Sequence, residues 1–219
     1  MLQENDLNPE VPEGTEYYLP AGSSYRVTPF ALAKGFRLVG SSDGIKPKVI
    51  LDDWWKIAEG SYITSLEFEN IEFQHASNNK YFMNADKSFT LESVSFVNCD
   101  FIGLTRGFWR HQQATGKHIM NFEVEGCRFD KCGWQTGSYG LVDLRSFNDP
   151  TSYDQIDKAA FRNCTFSRDN DGTAGFGWGN LFYAPYVDKP IQLEFKNITI
   201  YNYSLNKRLI NISSAVGSE

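Results

Sequence analysis

The chain has 219 residues, a net charge of -6 and 15% aromatic residues. That length suits one domain with a continuous core, and the acidic balance gives no electrostatic reason to expect nucleic acid or an anionic membrane as partner. No stretch approaches the roughly 20 consecutive apolar residues of a membrane-spanning helix, so membrane insertion is not expected.

Residues 1–15 are acidic, contain Pro9, Pro12 and Gly14, and read as a flexible leader. The start, Met1 to Asp6, lacks the basic and then apolar pattern of a signal peptide. The chain is therefore either cytosolic or a trimmed piece of a longer one. The second reading is preferred, because 214–219 resembles a frayed tail. The ordered domain is placed at 16–213. It opens with short strands at Tyr17-Tyr18-Leu19, Tyr25-Arg26-Val27, Phe36 to Gly40 and Val49-Ile50-Leu51, separated by Pro20-Ala21-Gly22 and Ser41-Ser42-Asp43-Gly44 turns.

From there an eight-residue phrase recurs five times, beginning at residues 66, 94, 122, 159 and 193. Two copies read Leu66-Glu67-Phe68-Glu69-Asn70-Ile71-Glu72-Phe73 and Val94-Ser95-Phe96-Val97-Asn98-Cys99-Asp100-Phe101. Positions 1, 3, 6 and 8 are apolar in every copy, and position 5 is Asn70, Asn98, Gly126, Asn163 or Asn197. The period-two alternation shifts phase at that residue. Two short strands joined by a bend write such a pattern, because Asn and Gly tolerate the left-handed backbone that a bend requires. A spacing of roughly 30 residues points to a solenoid.

A second repeating strand lies between copies: Tyr81 to Asn84, Phe108 to His111, Leu141 to Arg145, Leu181 to Ala184 and Leu209 to Ile212. Each coil thus carries three strands, and about seven coils stack into three parallel sheets about 4.8 Å apart strand to strand. A leucine-rich repeat needs a shorter, more Leu-dense period, and a propeller needs four antiparallel strands per blade. The expected class is all-β, a right-handed single-stranded parallel β-helix.

Cys99, Cys127 and Cys164 share position 6, so they stack with parallel side chains, which does not favour disulfide geometry. They are expected as free, buried thiols, while Cys132 falls in a loop. His75, His111 and His118 show no metal-ligand spacing. Asn70, Asn98, Asn163 and Asn197 predict an amide ladder running from coil to coil. Asn163 and Asn197 also match the glycosylation sequon, but the ladder is expected to bury them. Asp169-Asn170-Asp171-Gly172 resembles half of a calcium loop without its later bidentate acid, so a solvated turn and no cofactor are expected, with Asp169 and Asp171 as the weak calcium alternative.

The outward face of the interposed sheet carries the functional expectation. With Val142 and Leu144 inward, Met83, Arg110, Asp143, Tyr183 and Asn211 fall in one outward column, and Arg145 also points out. Connections on both sides add Trp134, Tyr139, Tyr153, Phe176, Trp178 and Tyr186, with Asn148 and Asp149 near. Aromatic rings beside hydrogen-bonding groups suit a sugar, whose apolar faces stack while its hydroxyls are bonded. The alternative is an Arg110–Asp143 surface ion pair with aromatics packing their own loops.

The Phe-x-Asn-Cys-x-Phe phrases, the Leu19-Pro20-Ala21-Gly22 start and Leu38-Val39-Gly40-Ser41-Ser42-Asp43-Gly44 resemble the pectate-lyase-like β-helix superfamily across about 17–213. The likeness is to its secreted or surface-lipoprotein bacterial modules from glycan-utilisation systems. That resemblance implies a polysaccharide or oligosaccharide as partner and a secreted or cell-surface place, with the signal segment outside this sequence. Characterised lyases of the superfamily use a calcium-binding acid cluster and an Arg base, and its esterases use two Asp and an Arg. Asp143, Arg110 and Arg145 are the catalytic candidates here, an incomplete echo with one acid. Non-catalytic binding over Arg110, Asp143, Arg145 and Tyr183, with Trp134, Trp178, Tyr139, Tyr153 and Tyr186 as contacts, is therefore preferred. A lyase, esterase or hydrolase is the alternative, and a scaffold that binds no sugar is the third. The last coil, Leu193 to Ser213, leaves a strand edge for further domains or self-association.

Overall fold

The computed structural model describes residues 12–28, 30–77, 80–112, 116–133, 140–144, 154–167, 180–187, 189–201 and 208–214. All regular elements among them are strands. One seven-stranded sheet runs β1 (Thr15–Leu19), β4 (Phe36–Gly40), β7 (Ser61–Glu69), β10 (Phe89–Val97), β13 (Lys117–Glu125), β16 (Gln155–Arg162) and β19 (Gln192–Lys196). A second runs β2 (Ser24–Val27), β5 (Lys48–Leu51), β8 (Glu72–His75), β11 (Asp100–Ile102), β14 (Arg128–Asp130), β17 (Thr165–Ser167) and β20 (Thr199–Tyr201). The interposed segments form a third, β9 (Tyr81–Ala85), β12 (Gly107–His111), β15 (Gly140–Asp143), β18 (Asn180–Val187) and β21 (Arg208–Ser214). A short pair, β3 (Ala31–Leu32) with β6 (Lys56–Ile57), completes the set, and Trp55 bridges to Met83 of the third sheet. Pairing is parallel throughout, and each sheet stacks its strands in chain order.

The recurrent phrase is what folds into the first two sheets. Each copy is cut at its fifth residue, and that residue is left-handed every time: Asn70 at φ 55°, Asn98 at 49°, Gly126 at 63°, Asn163 at 54° and Asn197 at 53°. Asn98 Nδ2 donates to Asn70 Oδ1 at 2.6 Å, and Asn197 Nδ2 donates to Asn163 Oδ1 at 2.9 Å. Gly126 has no amide to offer, so Asn163 donates instead to the Glu125 carboxylate. The ladder exists, but it is not interior: Asn98, Asn163 and Asn197 are exposed and only Asn70 is buried. The bend turns its side chain outward, which corrects the expectation that burial shields these amides.

Two further phase shifts repeat from strand to strand. Glu92 and Ser93, Met120 and Asn121, and Asp157 and Lys158 are successive residues that both face outward, between buried neighbours. The parallel ladder skips Glu92, Met120 and Asp157, so each long strand bends there. In the third sheet the shift is inward. Phe82 packs on Phe68, Phe73, Phe96 and Phe101, while the next residue, Met83, is aligned with the core residue Trp55. Phe108 and Trp109 repeat this, both touching Phe122. Met83 therefore lies in the core, aligned with Trp109, and Asn84 takes the outward place that alternation assigns to Met83.

The core lies between the sheets and is built from stacked rings. Phe73, Phe101, Phe129 and Phe166 follow one another at 5.4, 4.9 and 4.9 Å between centroids, each pair tilted by 13°. Identical positions on successive parallel strands force this stacking, and burying each ring is worth roughly 2–3 kcal/mol. Cys99, Cys127 and Cys164 are free and buried, as the phrase predicts. Cys132 is buried too, donating from Sγ to the Phe101 carbonyl at 3.2 Å, because Lys131 at φ 55° adds one more bend and turns it inward.

Candidate functional site

Parallel register brings Arg110 and Asp143 directly opposite one another on β12 and β15, with Tyr183 beside Asp143 and Asn211 beside Tyr183. Asn84 completes the column next to Arg110. Asn84, not Met83, thus stands in the column, and the column is not an open groove. Arg110 is 7% exposed, Asp143 0%, and Tyr81 and Asn180 on the same sheet 0% and 1%. The Arg110 guanidinium lies 5.4 Å from the Tyr81 ring centre, a cation–π contact. Glycines make room for the rings. A Cβ on Gly107 would stand 2.8 Å from Tyr81, and one on Gly140 would stand 2.9 Å from the Tyr183 Cβ. Asn84 Nδ2 donates to Gln112 Oε1 at 3.1 Å. This is a layer of packed polar and aromatic side chains on the outer side of the sheet. Arg145, Trp134, Tyr139, Tyr153, Phe176, Trp178, Asn148, Asp149, Asp169 and Asp171 lie outside the described residues, as does the Tyr186 side chain.

An accessible polar concavity lies elsewhere, at the outward bend of the first sheet. A cleft of about 560 Å³ crosses β13, β16 and β19, lined by Met120, Asn121, Gln155, Asp157, Lys158, Lys189, Pro190 and Gln192. Its floor exists because the strands bulge at Met120–Asn121 and Asp157–Lys158, turning two adjacent side chains outward on each. His118 Nε2 lies 2.9 Å from Asp157 Oδ2 at one edge, both partly exposed. Lys158 Nζ reaches Glu123 at 3.4 Å. Amide, carboxylate and ammonium groups thus face one open surface, beside two apolar side chains.

A third cluster lies in the interior, and the sequence pattern did not single it out. Lys117 Nζ is 3.6 Å from Asp154 Oδ1, and His111 Nδ1 is 3.3 Å from Asp154 Oδ2. The side chains are 0%, 1% and 0% exposed. The Lys117 backbone N–H also donates to Asp154 Oδ1 at 3.2 Å. Loss of hydration lowers the Lys117 pKa, opposed by the Asp154 charge, and lowers the His111 pKa for the same reason. Register gives the signal that was missed: Lys117 is aligned with Phe89, at an inward position where an apolar side chain belongs. No group of three or more His, Cys, Asp or Glu side chains suited to a metal occurs among the described residues.

No family model matches the chain, and it has no significant match among curated proteins or solved structures.

Proposed function

We propose that the chain winds as a right-handed parallel β-helix of the pectate-lyase-like kind and acts as a polysaccharide-binding module outside the cell or at a bacterial cell surface. The observation that carries the reading is the open cleft over β13, β16 and β19, where Asn121, Gln155, Asp157, Lys158 and Gln192 present hydrogen-bonding groups on successive strands. Strands stacked in one direction repeat such groups at about 4.8 Å, a spacing that lets one extended oligosaccharide meet several of them. Met120 and Pro190 supply apolar surface for a sugar face, and Lys158 and Lys189 favour an acidic sugar. Rigid sheets preorganise these side chains, which lowers the entropic cost of binding.

Binding is favoured over cleavage on the chemistry of the cleft. Hydrolases and lyases need an acid and a base in fixed geometry, and among the described residues Asp157 is the single carboxylate lining this cleft. Asp143, the catalytic candidate of the sequence, is fully buried. The exposed last strands, β19 to β21, suit a further coil or a second copy as neighbour.

The test is retention on immobilised acidic and neutral polysaccharides, followed by product analysis. Retention of an acidic polysaccharide without shorter products, lost in a Lys158→Ala/Gln192→Ala variant, is the expected outcome. Cleavage abolished by Asp157→Asn or Asp143→Asn moves the assignment to an enzyme. Failure to retain any polysaccharide leaves a scaffold.

A further inference from the structure

We propose that Lys117 and Asp154 become joined by an isopeptide bond inside the protein, with His111 as the proton carrier. This is a covalent modification of the scaffold and does not depend on what the outer surface binds.

The geometry supplies each part of the reaction. The nucleophile and the carboxyl group stand at 3.6 Å, nitrogen to oxygen, with side chains 0% and 1% exposed. His111 Nδ1 stands 3.3 Å from the other carboxyl oxygen, and it is fully buried. Asp154 Oδ2 and both ring nitrogens of His111 make no hydrogen bond among the described residues. As an ion pair, this arrangement takes both charges out of water. Condensation needs an amine and a carboxylic acid, and transfer of the Lys117 proton to Asp154 within the pair supplies both, with no net charge left in the dry site. A desolvated, uncharged lysine is also a competent nucleophile.

The step balances without any other reagent. The Lys117 amine adds to Cγ of the protonated Asp154 carboxyl, forming the C–N bond. An amine proton passes to His111 Nδ1 and from there to the departing hydroxyl at Oδ2. The C–O bond breaks, water leaves, and an amide remains. Confinement of both groups in one packed site supplies the proximity that makes such a condensation effectively unimolecular. Hydrolysis is suppressed because the site excludes water. The link spans 37 residues and ties the start of β13 to the residue preceding β16. It therefore staples two successive repeats across the chain segment that separates them.

Intact mass of the full chain, measured denatured and reduced, decides the matter. The expected mass is one water below that of the sequence, and a protease digest yields a branched peptide joining Lys117 to Asp154. Lys117→Met recovers the full sequence mass, and His111→Phe slows the loss of water in freshly produced protein. A wild-type chain at its full sequence mass overturns the proposal, whether or not the variants fold. A water deficit that persists in Lys117→Met, or a branch point elsewhere, overturns it as well.

Discussion

Asn98 donates its side-chain amide to the side-chain carbonyl of Asn70 at 2.6 Å, between equivalent bends of successive repeats, while both residues hold a left-handed backbone. The bend therefore asks two things of one residue: tolerance of positive φ, and an amide that can be passed along the stack. Asn98→Gly keeps the first and loses the second, so it should cost about 1 kcal/mol. Asn98→Val loses both and should cost about 2–3 kcal/mol, because a β-branched residue is strained there. Urea midpoints of the two variants check the order. Equal midpoints would mean that the conformation of the bend contributes nothing.

Phe82 touches Trp55, Phe68, Phe73, Phe96, Phe101 and Phe108, and so couples all three sheets. Phe82→Ala should destabilise the protein by about 3–5 kcal/mol, since the rings around the cavity are themselves stacked and cannot collapse into it. Tyr18→Ala, at a residue 62% exposed, should change stability by about 0.5 kcal/mol or less. Thermal or urea unfolding separates the two.

Burial pushes the Cys132 and Cys164 thiols up to about 12, from an ordinary value of 9.0. A raised folded-state value means that the unfolded chain loses these protons first. Their contribution to stability is complete below pH 9 and is lost as pH rises from 9.0 towards about 12. Replacement of both by alanine should flatten that alkaline decline in urea midpoint. In the native state a maleimide should label none of Cys99, Cys127, Cys132 and Cys164, and all four after denaturation. Rapid native labelling would contradict the stacked, buried thiols.

His111 has the opposite sign. Desolvation lowers its folded pKa below the ordinary 6.5, so below that pH the unfolded chain takes up a proton that the folded chain resists. Stability should fall as pH drops through 6.5, and His111→Phe should reduce the slope of urea midpoint against pH in that window. Phe89 packs edge-on against the imidazole, which makes the aromatic replacement a fair one. An unchanged slope would assign the acid sensitivity to other groups.

The final strands leave Ile200, Tyr201, Leu209, Ile210 and Ile212 at 37–62% exposure. Two parallel strand edges with apolar side chains, β20 and β21, form a template for another strand layer. Sedimentation velocity over a range of concentrations should show self-association, reduced by Ile210→Lys/Ile212→Lys. A monomer at every concentration would count against this face as an interface.

Much of this architecture follows from sequence alone because it is periodic. Apolar residues on either side of an Asn or Gly report both the strands and the bend, and position 6 reports the buried thiols. Alternation also brings Arg110 and Asp143 into register, since parallel strands one repeat apart place equivalent residues side by side. What alternation cannot report is where it breaks. The inward pair Phe82–Met83 and the outward pair Asp157–Lys158 each violate period two, and both arise from bends that depend on how whole sheets close around the core. The first break moved Met83 into the core, and the second created the cleft. Burial was equally out of reach. Whether a side chain on the outer side of a sheet meets water depends on residues remote in the chain, so Asp143 could be placed but not found to be buried. The meeting of His111, Lys117 and Asp154 was decided in the same way. Three ionisable side chains share one dry site only because β12, β13 and the approach to β16 converge there, and no spacing in the sequence records that convergence.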